Sequence, residues 1–142
     1  MEKVYLSLGS NLGDRRANLA AAIAELDSRV CPHSALSSVI ETESWGFSGG
    51  NFLNCAALYE TDISPERLLE ICKEIERGMG RSETPEFGAD GKRIYHDRVI
   101  DIDILLYGDR TVDTPDLKIP HPLMREREFV MRPLMEIYRH GG

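Results

Sequence analysis

The sequence predicts an α+β sandwich of ferredoxin-like order: an antiparallel sheet with two helices on one face, plus short helices at the C-terminal end. Two observations carry this. Strand-type and helix-type stretches follow one another as β-α-β-β-α-β. Apolar residues make up 42% of the 142, enough for the core of one domain. No repeat, low-complexity tract or linker divides the chain, so residues 1–142 are read as a single domain.

The elements follow in order. "KVYLSLG" (3–9) has the alternation and β-branched or aromatic content of a strand, and Gly9 ends it. Leu19, Ile23, Leu26 and Val30 then recur at helical spacing, with Asn11 or Asp14 available as cap, predicting a helix over about 14–29. "SALSSVIETES" (34–44) and "NFLNCAALYET" (51–61) read as strands. The second helix opens with Ser64 as N-cap, Pro65 at the first helical position and Glu66 in the first turn. Its apolar stripe is Leu68, Leu69, Ile71, Cys72, Ile75 and Met79, and Gly78 or Gly80 ends it. Residues 81–97 form a polar loop, and loops of that length inside a domain are usually functional or disordered. A strand over 99–107 comes next. After it, 108–124 reads as turns with a short extended piece, and 125–142 as short helices.

Charge and composition narrow the function. With 17 basic and 24 acidic residues the net charge is −7, which argues against broad binding of nucleic acids or anionic membranes, since these require a basic face. No apolar run approaches the roughly 20 residues of a membrane span, and "MEKVYLSLG" lacks the features of a signal peptide. Cys31, Cys55 and Cys72 are an odd number without metal-site spacing, in apolar contexts. Buried free thiols in a reducing cytoplasm are the expectation.

The strand in "HDRVIDIDILLYG" (96–108) carries the chemistry. Alternation places Ile100, Ile102, Ile104 and Leu106 on one face, predicted to lie under the helices. Val99, Asp101, Asp103, Leu105 and Tyr107 share the other. The two carboxylates then stand about 7 Å apart and oppose each other's ionisation. A divalent cation removes that conflict, and hard oxygen donors without His or Cys neighbours point to Mg²⁺. A D-x-D pair on its own more often marks a solvated strand face. Here the opposite face is uninterrupted, a long loop leads in, and basic residues gather on both sides. They are Arg77, Arg81, Lys92, Arg93, His96 and Arg98 before the strand, and His121, Arg125, Arg127 and Arg132 after it. Metal-binding carboxylates among arginines suit phosphoryl transfer, where cations neutralise charge on phosphate oxygens. There is no P-loop sequence, and "GSNLGD" (9–14) reads as a strand-to-helix turn.

With these residues in view, the chain resembles the 6-hydroxymethyl-7,8-dihydropterin pyrophosphokinase family of folate biosynthesis. "LSLGSNLGDR", "FLNCAALYET", "DRVIDIDILLYG" and "IPHPLMREREFVMRPL" are similar to that family's motifs, in order, from about residue 4 to residue 138. The resemblance implies transfer of the β,γ-pyrophosphoryl group of ATP to the pterin hydroxymethyl, with release of AMP. It implies two Mg²⁺ ions, held with ATP by Asp101 and Asp103, and catalytic contacts from Arg81 and Arg98. ATP-binding positions would be Lys73, Glu76, Arg98, Ile104, His121 and Arg127; pterin-binding positions would be Thr42, Trp45, Phe52, Asn54 and Phe129. Phe52 and Phe129 would sandwich the ring, and Trp45, among glycines, would sit on a flap. Departures are a longer loop, Ser82-Glu83 where a second loop arginine is expected (Lys92 or Arg93 would replace it), Tyr95 for a tryptophan and Lys73 for a glutamine. Arg15 and Arg16 read as surface residues.

The expected partners are these small molecules alone, with no nucleic acid, no membrane and a monomeric chain. The alternatives are a Mg²⁺-dependent kinase for another heterocyclic alcohol, or a non-enzymatic ligand-sensing domain of the same fold. The second would need neither the paired aspartates nor the arginine-bearing loop.

Overall fold

The computed structural model describes residues 1–42, 51–80 and 99–138. Strand β1 (Glu2–Ser10) leads through helix α1 (Arg15–Arg29) to two short edge strands, β2 (Ala35–Leu36) and β3 (Ile40–Thr42), and then to β4 (Phe52–Thr61). Helix α2 (Pro65–Gly78) is followed by β5 (Asp101–Tyr107), the short pair β6 (Val112–Asp113) and β7 (Lys118–Ile119), a 3-10 turn at Met124–Glu126, and helix α3 (Glu128–Ile137). The sheet order is β2-β4-β1-β5 with β3 also on β4, and every pairing is antiparallel. That is the ferredoxin-like order expected from the chain.

Both main helices start where capping chemistry places them. Asp14 accepts the Ala17 N–H at 3.1 Å, and Ser64 accepts the Arg67 N–H at 3.2 Å with Pro65 behind it. Gly80, at φ +108°, takes the chain out of α2 in a conformation that suits glycine. Leu19, Ala22 and Leu26 of α1 and Leu68, Ile71, Cys72 and Ile75 of α2 bury against Leu6, Leu8, Cys55, Ala57, Ile102 and Ile104 of the sheet. Tyr59 and Tyr107 are the largest fully buried side chains, and their hydroxyls are satisfied by Asp27 and by the Ile63 carbonyl. The other face is covered by α3, where Val130, Leu134 and Ile137 meet Tyr5, Ala56, Leu58 and Leu105. The end of α3 is tied to the edge of the sheet by Glu136, whose carboxylate accepts the Ser38 N–H and hydroxyl at 2.9 and 2.6 Å.

Three expectations change. The strand predicted over 34–44 is split, because Ser37 turns its side chain into the ladder. Its Oγ accepts the Ala56 N–H at 2.8 Å while its own N–H donates to the Ala56 carbonyl. Alternation in β5 also breaks. Tyr5 pairs with Leu106 but Leu6 pairs with Ile104, leaving Leu105 as the extra residue of a bulge. Leu105 and Leu106 therefore both face α3, and Tyr107 joins the helix-side core, the reverse of the expected placement for Leu106 and Tyr107. Finally, Cys55 and Cys72 are buried free thiols as expected, but Cys31 is only partly buried.

Candidate active site

Register builds the site. Gly9 pairs with Asn54 on one side and with Asp101 on the other; Ser7 pairs with Ala56 and with Asp103. Residues directly opposite each other in an antiparallel ladder project to the same face. Asn54, Gly9 and Asp101 thus form one cross-strand row on the α3 side of the sheet, with Asp103 in the next row. Asn54 and Asp101, two strands apart, are separated by about 10 Å. Gly9, with no side chain, is the floor between them.

At one end of the row stand the carboxylates. Asp101 and Asp103 are half-buried. The His121 Nε2 lies 4.0 Å from Asp103 Oδ1. His121 is held by its own N–H, which donates to the Leu105 carbonyl at 3.0 Å, so the β5 bulge supplies its anchor. Its Nδ1 accepts the Leu123 N–H at 3.3 Å, which leaves Nε2 as the protonated nitrogen of the neutral ring. Burial pushes the His121 pKa down, the Arg127 guanidinium pushes it further down, and Asp101 opposes both. A neutral imidazole presenting Nε2–H toward the carboxylate end is the consequence. Arg127 sits over the half-buried Phe129 ring, 5.7 Å from its centroid.

At the other end, Asn54 is 3% exposed and its Nδ2 donates to the Thr42 Oγ1 at 2.8 Å. Half-buried Phe52 lies beside them on the same strand face. A Cβ on Gly9 would come within 2.8 Å of Asn54 Oδ1 and 3.4 Å of the Phe52 ring. Gly9→Ala is therefore expected to displace the Asn54 amide; if Asn54 reads a pterin, as the resemblance implies, pterin binding should weaken about tenfold or more, by the cost of one misplaced polar contact. Titration of pterin into the variant checks this; an unchanged affinity would show that the amide is not read there.

The remaining expected site residues divide clearly. Lys73 is exposed on α2. The Ile104 side chain is 4% exposed in the helix-side core, so only its backbone is presented to a ligand at this edge. Glu76 is 6% exposed and its Oε2 accepts the Ile102 N–H at 2.8 Å. Trp45, Arg81 and Arg98 lie outside the described residues, as does the loop expected over 81–97. Among the described residues, no group of three or more His, Cys, Asp or Glu side chains is arranged to hold a metal. Two carboxylates with hard oxygen donors nevertheless fit Mg²⁺, which usually takes one or two carboxylates and completes its shell with substrate phosphates and water.

Sequence reasoning overlooked Gly9 and Arg15. A glycine inside a strand pattern is a signal of close backbone approach, and it stood in "LSLGS". Arg15, expected to be a plain surface residue, instead links β3 to the start of β4. Its Nη1 reaches Glu41 Oε2 at 3.0 Å and the Asn51 carbonyl at 2.8 Å, next to Thr42 and Phe52.

The sequence profile of the 7,8-dihydro-6-hydroxymethylpterin-pyrophosphokinase family matches residues 5–139. The 2-amino-4-hydroxy-6-hydroxymethyldihydropteridine pyrophosphokinase of Porphyromonas gingivalis is 45% identical over 139 residues, covering 96% of this chain and 91% of that protein. The folic acid synthesis protein of Dictyostelium discoideum is 40% identical over 134 residues, covering 94% of this chain and 19% of that longer one. A solved structure described as HPPK-DHPS in complex with substrates superposes with a TM-score of 0.68 at 15% identity, covering 98% of this chain and 41% of that one. That likeness speaks for the fold.

Proposed function

The chain belongs to the 7,8-dihydro-6-hydroxymethylpterin-pyrophosphokinase family, and from that premise we propose how its residues divide the work. The enzyme transfers the β,γ-pyrophosphoryl group of ATP to the hydroxymethyl group of 6-hydroxymethyl-7,8-dihydropterin in folate biosynthesis, releasing AMP. The observation that best supports the division is the cross-strand row Asn54–Gly9–Asp101. It offers a heterocycle-reading amide and a phosphate-side carboxylate on one sheet face, about two strand spacings apart.

Asp101 and Asp103 would hold two Mg²⁺ ions together with ATP. Bound there, Mg²⁺ supplies neutralisation of phosphate charge and a more acidic attacking hydroxyl. Phe52 and Phe129 stack on the two faces of the pterin, and Asn54, steadied by Thr42, donates and accepts at its edge. His121 donates Nε2–H to a phosphate oxygen, and Arg127 adds positive charge beside it. Ile104 meets the nucleotide through its backbone, and Lys73 and Glu76 lie on the helix next to that edge. Arg81 and Arg98 would meet charge on the moving group, and Trp45 would close over the pterin. The protein forms no covalent bond in this scheme, so positioning supplies much of the rate.

The working unit in this reading is a single domain over residues 1–142, monomeric, in the cytoplasm, and without nucleic-acid or membrane partners. The net charge of −7 speaks against a broad basic face for nucleic acid or anionic membrane, and among the described residues no helix is long and apolar enough to cross a membrane. Incubation with ATP, Mg²⁺ and the pterin, followed by nucleotide separation, tests the reaction. AMP in step with pterin diphosphate is expected. ADP would place the attack on the γ-phosphorus.

A further inference from the structure

The apolar stripe of α2 is interrupted by one buried carboxylate, Glu76, at 6% exposure. Burying a charged group costs several kcal/mol unless it is paired or hydrogen-bonded. An apolar side chain would fill that volume without the cost, so its partner is informative. Glu76 Oε2 accepts the backbone N–H of Ile102 at 2.8 Å, and Ile102 is the residue between Asp101 and Asp103. Among the described residues β5 is the outermost strand of the main sheet, with β1 on its inner side. No described strand pairs with its outer edge, and Glu76 takes the outward-pointing N–H of Ile102 there.

We propose that Glu76 is a positioning residue for the phosphate-side carboxylates: by fixing the backbone at Ile102 from the outer edge, it sets the direction in which Asp101 and Asp103 leave the strand. This rests on the assignment of those aspartates above, and it gives Glu76 a task other than contact with the nucleotide. A charged acceptor holds a backbone N–H more strongly than a neutral one. That is a reason for a glutamate where an apolar residue would bury at lower cost.

Two variants separate the possibilities. Glu76→Met removes the acceptor and the charge at similar length, while Glu76→Gln keeps an acceptor oxygen. Three quantities are measured: amide hydrogen exchange at Ile102 by NMR in the ligand-free protein, steady-state kinetics, and the Mg²⁺ concentration that half-saturates binding of a non-hydrolysable ATP analogue. Glu76→Met is expected to speed exchange at Ile102 while leaving the β1-facing amides of β5 protected. It should lower turnover roughly 10- to 100-fold, the usual effect of losing a residue that orients metal ligands, and shift the Mg²⁺ midpoint upward. The KM for pterin should stay within about twofold. Glu76→Gln should restore Ile102 protection and recover most of the lost turnover. Unchanged exchange at Ile102 in Glu76→Met would overturn the proposal. So would a Glu76→Gln variant that protects Ile102 yet shows the full loss, concentrated in the KM for ATP, since that marks direct contact with the nucleotide. The exchange measurement needs no activity, so a failure of the assigned reaction and a failure of this proposal give different results.

Discussion

Replacing Asp101 or Asp103 by alanine is expected to lower turnover about a hundred- to a few-thousand-fold, corresponding to several kcal/mol of metal-derived stabilisation of phosphate charge. The fold should survive. Both side chains leave β5 on the face away from α1 and α2, and the helix-side core is held by Ile100, Ile102 and Ile104. Steady-state assays at saturating Mg²⁺, paired with melting curves in EDTA, test both halves. Near-normal turnover in either variant would remove the two carboxylates from the mechanism, and a collapse in melting temperature would make them structural instead.

The second large effect is expected at Phe129. It is half-buried in the first turn of α3, against the α3-side core and beneath the Arg127 guanidinium. A stacked aromatic is worth about 1–3 kcal/mol per heterocycle, so Phe129→Ala should weaken pterin binding by roughly ten- to a hundredfold. ATP affinity should hardly move. Because the ring also packs against the α3-side core, some thermal stability will be lost as well. The two effects separate by calorimetry: pterin affinity unchanged beside a lower melting temperature would refute stacking. Phe129→Leu, which keeps bulk without an aromatic face, should recover the stability and not the affinity.

Much of the fold was legible because its signals are local. Ser64-Pro65-Glu66 marks a helix start, the stripe from Leu68 to Met79 marks its inner face, and the strand character of "FLNCAALYET" marks β4. What was not legible depends on partners distant in sequence. Ser37 interrupts a strand pattern only because its hydroxyl finds the Ala56 N–H. The bulge falls in "ILLY", where every residue is apolar and alternation carries no phase information. The same holds for the site. Asp101 and Asp103 could be read from strand parity alone. Gly9 looked like a strand end and acquired meaning only from its register with Asn54 and Asp101. Glu76 was placed by likeness to a family, whereas its bond to Ile102 depends on how α2 rolls against β5.

Viewed as a question of chain length, Leu105 is the residue that the ladder along β1 leaves over, although its side chain is buried in the α3-side core. Shortening "ILLY" by one leucine would leave Ile104 and Tyr107 toward α1 and α2 and the surviving leucine toward α3, with an unbroken ladder along β1. The shortened strand would keep its alternation. It would lose the local bend and the carbonyl on which the His121 amide rests. A one-residue deletion here thus separates strand alternation from the anchor of His121, whereas most deletions inside a strand turn the remainder inside out. Relatives that carry out the same reaction should therefore keep the length of this strand at Leu105 and Leu106.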